Sequence, residues 1–293
     1  MTATNTPSAA ASGDLTLGGD LTVHRLGFGA MRVTGQGIWG PPPDRVEAHA
    51  VLRRALELDI NLIDTADSYG PNVSEELIAE ALYPYPPGLV IATKGGQVRP
   101  GPNQWVPDGR PEHLRDALSG SLRRLRLERI DLYQHHRPDP NIPWEDTIGA
   151  LAELRAQGKI RHLGLSNVSP EQLATAQRIV PIVSVQNRFN LTDRSSQRLL
   201  DLCEQQGIAF IPWRPIEAGN PASANSQRPL EEIAQRHHAT PSQIAIAWLL
   251  KRSPVMLPIP GTGSPRHLDE NVVAASIQLT QDDVDTLTQL VVS

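Results

Sequence analysis

Four side chains of this sequence could move a proton between them: Asp64, Tyr69, Lys94 and His136. Asp64 closes the short apolar run at residues 60–63 and is followed by two small residues, a second acid, Tyr69 and Gly70. Lys94 closes the run Val90-Ile-Ala-Thr, and strand alternation turns Val90, Ala92 and Lys94 to one side. A lysine aimed into the interior of a fold needs an anion, and Asp64 is the nearest candidate. A phenol beside that ammonium has its ionised form favoured, so the Tyr69 pKa is expected to fall. Such a tyrosine can serve as a general acid near neutral pH. Taken singly, each residue has a plainer reading: Lys94 as a surface lysine, His136 as a satisfied loop histidine, Tyr69 as a solvated phenol. All of them together at the ends of consecutive strands favour one shared site.

The elements that must position them alternate along the chain. Strand patterns at 25–31, 60–64, 89–94, 130–135, 160–166, 182–187, 208–213 and 255–259 are each followed by helical periodicity. The helices are expected at 45–58, 74–82, 111–125, 144–157, 170–178, 195–206, 230–237 with 241–252, and 268–275. Asp44 is placed to cap the first of them, and Pro111 starts the third where its missing N–H costs nothing. Eight strand–helix units in this length favour an α/β fold of the closed (β/α)8 TIM-barrel type over an open sheet. A hairpin at 15–23 around Gly18-Gly19 precedes the barrel, and an extra C-terminal helix at 281–290 follows it. No linker divides residues 15–293, so they read as a single domain behind a disordered tail at 1–14. In a closed barrel the strand C-termini share one face. That adds Ser166, Asn167, Gln186, Trp213 and Arg214 to the candidate site. No Gly-x-Gly-x-x-Gly opens an early helix, so the doubly wound dinucleotide fingerprint is absent.

Bulk properties narrow the classes. The 293 residues carry 27 basic and 32 acidic side chains, a net charge of −5, which gives no basic footprint for nucleic acid. No apolar run approaches the length of a membrane helix, and the N-terminus lacks the basic start and apolar stretch of a secretory signal. Cys203 is the only cysteine, so no internal disulfide can form, as suits a reducing, cytoplasmic setting. A metal-dependent hydrolase barrel would want histidines and carboxylates at ligand spacing. His237-His238 lie in a helix far along the chain and His135-His136 have no clear histidine partners, so no metal site is expected.

Over nearly its whole length the chain resembles the aldo-keto reductases. The resemblance rests on Asp64-Thr-Ala, Tyr69-Gly, Ala92-Thr-Lys94, Asp131-Leu-Tyr-Gln-His-His136, Gly-Leu-Ser166-Asn167, Val185-Gln186-Asn187 and Ile259-Pro-Gly-Thr262 with Glu270-Asn271. It implies a barrel that binds a nicotinamide cofactor without a Rossmann domain. It also implies a catalytic tetrad of Asp64, Tyr69, Lys94 and His136, the last taken as the histidine two residues before Pro138. Ser166, Asn167 and Gln186 fall where the family binds the carboxamide, and Trp213 where an aromatic ring stacks on the nicotinamide, with Arg214 following. Gly261, Thr262, Arg266, His267, Glu270 and Asn271 fall on the adenosine and phosphate segment. Gly261-Thr262 replaces a Lys-Ser pair common in the family, which weakens the 2′-phosphate clamp. NADPH is the expected cofactor, with NADH as the alternative. The implied activity is reduction of an aldehyde or ketone to an alcohol, with Tyr69 as proton donor. A nicotinamide-binding regulatory module like the channel β-subunits is the competing reading.

Gly40-Pro-Pro-Pro43 and Ala81-Leu-Tyr-Pro84 resemble most a bacterial branch that includes pyridoxal reductases, which points to pyridoxal. The pocket is expected from the loops at 32–43, 98–109, 137–143 and 216–229, with Trp39, Trp105 and Trp144 as apolar walls. Arg99, Arg137 and Arg214 are the candidate anion contacts. The partner is a small-molecule carbonyl substrate, and the chain is expected to be a monomer or weak homo-oligomer.

Overall fold

Seven parallel strands lie side by side in the order in which they occur in the chain: Phe28–Gly29, Leu62–Asp64, Val90–Gly95, Ile130–His135, Ile160–Ser166, Ile182–Gln186 and Ala209–Phe210. They are seen in a computed structural model that describes residues 6–216 and 224–290. The sheet closes through residues 255–260. Phe210 N–H donates to the Val255 carbonyl, Leu257 N–H to Phe210, and Gly27 N–H to Pro258 across the seam. This eighth stave makes a single bridge, Phe210 with Met256, rather than a ladder. Pro258 and Pro260 remove two donors from it, which is the physical reason. A Cβ on Gly29 would stand 2.6 Å from the Ile259 carbonyl, and one on Gly261 2.5 Å from that of Gly29, so the seam needs both glycines. The result is a (β/α)8 barrel.

Leu62, Val90, Ala92, Leu132, Ile211 and Leu257 fill the barrel, and Leu17, Leu21 and Val23 join them from the hairpin Asp14–Leu17 with Leu21–His24. Asp20 in its turn meets Arg161 and His162 at the start of the fifth strand. The hairpin therefore stoppers the N-terminal mouth and leaves the opposite mouth open. Helices Arg45–Glu57, Val73–Leu82, Pro111–Leu125, Trp144–Ala156, Pro170–Gln177 and Gln197–Gln206 wrap the outside with leucine-rich faces. Fully burying such a leucine stabilises the fold by about 1.5–3 kcal/mol. Asp44 accepts from the Val46 and Glu47 amides, and Ser169 and Thr240 form capping boxes.

Three expectations need correction. The tail is not disordered up to residue 14: Ala9–Ser12 form a 3-10 turn, with Ala9 fully buried and its N–H on the Leu58 carbonyl. A small apolar side chain seated in the core anchors it; residues 1–5 lie outside the described residues. Of the loop at 216–229, residues 217–223 also lie outside them, and residues from 224 on belong to the helix Ala224–Arg236, which carries Pro229 inside it. The polar loop after the third strand is partly ordered as a small hairpin, Gln97–Val98 against Val106–Pro107. Among the described residues no helix is long and apolar enough to cross a membrane.

Candidate active site

Asp64 and Lys94 end neighbouring strands and meet inside the open mouth. Lys94 Nζ donates to Asp64 Oδ1 at 2.5 Å, to the Thr65 carbonyl at 2.9 Å and to Tyr69 Oη at 3.4 Å. The other carboxylate oxygen, Asp64 Oδ2, accepts from Gln134 Nε2 and Gln186 Nε2, each at 2.9 Å. All three Lys94 donors and both Asp64 oxygens are thus satisfied in a buried place, which a buried pair requires. Burial is the largest single effect and pulls the Lys94 pKa down, but Asp64 and Tyr69 together outweigh it and the net direction is up. Lys94 stays an ammonium.

Tyr69 hangs from a turn whose geometry is tightly held. Its N–H donates to the Ala66 carbonyl and its own carbonyl accepts from Ser74, at the start of the helix Val73–Leu82. Its ring meets those of His136 and Trp105 edge-on, with centroids 5.8 and 6.3 Å away. The Tyr69 pKa is raised rather than lowered. Burial is the larger effect, and the Lys94 ammonium offsets only part of it. The expected fall reflects the ammonium's charge alone; desolvation of the buried phenol reverses it. A raised pKa keeps the phenol protonated at neutral pH, as a proton donor must be.

His136, not His135, faces the cavity. Strand alternation turns Gln134 inward and Tyr133 and His135 outward toward the helices, where His135 packs on Trp144 at 5.3 Å. His136 lies one step past the strand end, with Nδ1 3.2 Å from Ser68 Oγ. Burial first, then the Lys94 charge, push its pKa well down, so the ring is neutral.

The site opens into a cavity of about 800 Å³ lined by Tyr69, His136, Ser166, Asn167, Gln186, Trp213 and Arg214 among others. Asn167, in the left-handed region at φ 60°, donates to the His136 carbonyl and to Ser166 Oγ and accepts from Trp213 Nε1. The indole is thereby fixed at the cavity wall. A second cavity leads off past Asp64, Arg32, Trp213, Arg214 and Gly261, and a third continues through Arg32, Thr262, Ser264 and His267. The third ends at the N-terminus of the helix Pro265–Val273, where Ser264 makes no side-chain cap. A flat ring at one end, a glycine-floored passage and free helix N–H groups at the other suit an elongated, phosphate-bearing cofactor. Arg266 instead pairs with the partly exposed Glu270 at 3.1 Å, and neither Glu270 nor the buried Asn271 lines these cavities.

Other expected wall residues lie elsewhere. Trp105 lines the cavity, but Trp144 is spent on His135 and the Gln172 carbonyl, and Trp39 bridges to Gly70. Arg99 is no anion contact. It donates to the carbonyls of Gly37, Ile38, Ser68 and Gln104, and its guanidinium lies 3.6 Å from the Trp105 ring centre. It is the post that holds Trp105 and the Tyr69 turn together. Sequence reasoning missed Gln134, Ser68 and Arg32. Of these, Gln134 carried a usable signal, since it alternates in phase with Leu132 on a strand facing the barrel interior.

A lysine–carboxylate pair beside a tyrosine stands at the C-terminal mouth of a closed barrel, the face on which such folds carry their chemistry. The chain belongs to the aldo/keto reductase family, whose model matches residues 25–292. It is 53% identical over 264 residues to an uncharacterised oxidoreductase of Schizosaccharomyces pombe, covering 90% of this chain and 85% of that one. It is 42% identical over 275 residues to pyridoxine 4-dehydrogenase of Escherichia coli strain K12, covering 92% and 95%. A thermostable aldo-keto reductase crystallised with the inhibitor epalrestat superposes with a TM-score of 0.82 at 34% identity, covering 94% of this chain and 99% of that one. The family makes this chain an NAD(P)H-dependent oxidoreductase.

Proposed function

We propose that this enzyme reduces aldehydes or ketones to alcohols with NADPH, Tyr69 being the proton donor. The hydrogen-bonded series Asp64–Lys94–Tyr69, with His136 beside it, carries the reading. Bound nicotinamide supplies a hydride to the carbonyl carbon. Tyr69 gives its proton to the carbonyl oxygen as the alcohol forms, and the phenolate left behind is steadied by the ammonium 3.4 Å away until solvent returns the proton. Asp64 fixes Lys94 in place. His136 Nδ1 lies 3.2 Å from Ser68 Oγ; with the hydroxyl as donor, the ring's proton would sit on Nε2, where it could hold the carbonyl oxygen. Trp213, Asn167 and Ser166 would seat the nicotinamide end. Arg32 and His267 would meet the 2′-phosphate in the third cavity, which Asp44 and Glu47 also line, Asp44 with its carboxylate turned to helix amides.

An aromatic aldehyde suits the Trp105 wall, and pyridoxal is the substrate we favour. The 42% identical pyridoxine 4-dehydrogenase supports that choice. Tyr69→Phe should lower kcat for NADPH-driven pyridoxal reduction by about 10²–10⁴-fold while the dissociation constant for NADPH stays nearly the same. Undiminished turnover in that variant would remove Tyr69 from the role.

A further inference from the structure

We propose that Arg137 is the substrate's anion contact, so that the enzyme favours aldehydes carrying a carboxylate, phenolate or phosphate over neutral aldehydes of the same shape. The proposal rests on the carbonyl-reductase reading above. The observation behind it is a contrast of charge. The chain as a whole is acidic, with a net charge of −5, yet among the described residues no Asp or Glu lines the 800 Å³ cavity while two arginines do. The two arginines differ. Arg214 lines both this cavity and the passage toward Gly261, and its guanidinium lies 5.9 Å from the Trp213 ring centre, so it belongs to the cofactor side. Arg137 lines the substrate cavity alone. It follows His136 directly, and its charge is among those that hold the His136 ring neutral, so it stands close to where a carbonyl would bind.

Arg137 is also free to bind. It makes no hydrogen bond or ion pair with the described residues, whereas Arg99 is committed to four carbonyls. Pro138, Pro140 and Pro107 line the same cavity, stiff side chains that supply an apolar wall and bring no side-chain acceptor to compete for the guanidinium. A guanidinium in that setting pairs with a planar oxyanion through two parallel N–H···O bonds. The aldehyde at Tyr69 and the anion at Arg137 would then hold a flat substrate at two points, with Trp105 along it.

The test uses 4-carboxybenzaldehyde and 4-nitrobenzaldehyde, whose para groups share a shape and differ in charge. The ratio of their kcat/KM values is measured for the full chain and for Arg137→Gln and Arg137→Lys. Arg137→Gln should lower the carboxy-to-nitro ratio by about tenfold or more, mainly through KM. Arg137→Lys should restore part of it, and 0.5 M salt should lower the ratio in the unaltered enzyme, since the contact is solvent-exposed. A ratio that Arg137→Gln leaves unchanged overturns the anion contact while leaving the reductase reading intact. Failure of the unaltered enzyme to turn over either aldehyde overturns both.

Discussion

Two buried ion pairs flank the third strand, one on each face. Lys94 points into the barrel and meets Asp64; both side chains are almost wholly buried, at 0% and 2% exposure. Its neighbour Thr93 points outward and donates at 2.6 Å to Glu75, whose other oxygen accepts from Arg124 Nε at 2.7 Å. The pairs share a strand, a depth and a sign pattern, and they differ in what else they touch. The inner pair ends at the hydroxyl of Tyr69 and opens on a cavity. The outer pair ties helix Val73–Leu82 to helix Pro111–Leu125 and lines none of the cavities described above. Burying a charge pair is costly in either place. On the inside the cost places an ammonium beside the Tyr69 hydroxyl, the proposed proton donor; on the outside it fixes two helices against the barrel.

The comparison is broken most sharply at Lys94. Lys94→Met removes the cation beside the developing phenolate, and kcat should fall by about 10²–10⁴-fold. The kcat-against-pH profile locates the effect, because without the ammonium the Tyr69 pKa rises further. Steady-state kinetics that show less than a tenfold loss would mean the inner pair is structural like the outer one.

Arg124→Leu tests the other face. Glu75 is left buried without its partner, so the fold should lose about 3 kcal/mol in chemical denaturation. Turnover of the molecules that remain folded should change less than threefold, since nothing in the outer pair reaches the reacting groups. A rate loss comparable to that of Lys94→Met would show that the two faces are coupled. Asp67 is the residue through which such coupling would run. It is buried between the pairs with Oδ1 unpartnered, and burial followed by the Glu75 charge pushes its pKa well up.

The inner pair was legible in the sequence because strand period alone turns Lys94 inward, and a buried lysine demands a carboxylate. The barrel was legible for the same reason: eight apolar runs alternate with helical ones. The outer pair was not legible, since Glu75 and Arg124 each look like ordinary helix-surface charges until the helices are packed. Arg99 and Trp144 stand away from the pocket for different reasons: a loop sequence leaves the direction of Arg99 open, and the first turn of a helix can aim Trp144 at the barrel wall as readily as at its mouth. Arg99 turns back to brace four carbonyls, and Trp144 packs against the outward His135. The Tyr69 pKa went the other way because desolvation depends on burial, which no spacing of residues reveals.

The smallest effect expected separates the two adjacent histidines. His135 shares the outer face with Glu75, is fully buried, and neither ring nitrogen has a partner. Burial lowers its pKa from 6.5 to about 3, with Asp139 opposing that shift and His113 adding to it. Between those two values the unfolded chain binds a proton on this ring that the folded chain does not. Stability from His135 is therefore complete above pH 6.5 and is lost as pH falls toward 3, by at most about 1.4 kcal/mol per pH unit. His135→Leu removes that proton uptake and leaves every other titrating group in place. Urea denaturation of the two proteins at pH 7, 6 and 5 should give a stability difference that shifts in favour of the variant as the solution becomes more acid. A difference that stays constant from pH 7 to 5 would mean that the His135 ring is solvated or bonded in the folded protein, and that the contrast between its outward face and the His136 site has been drawn in the wrong place.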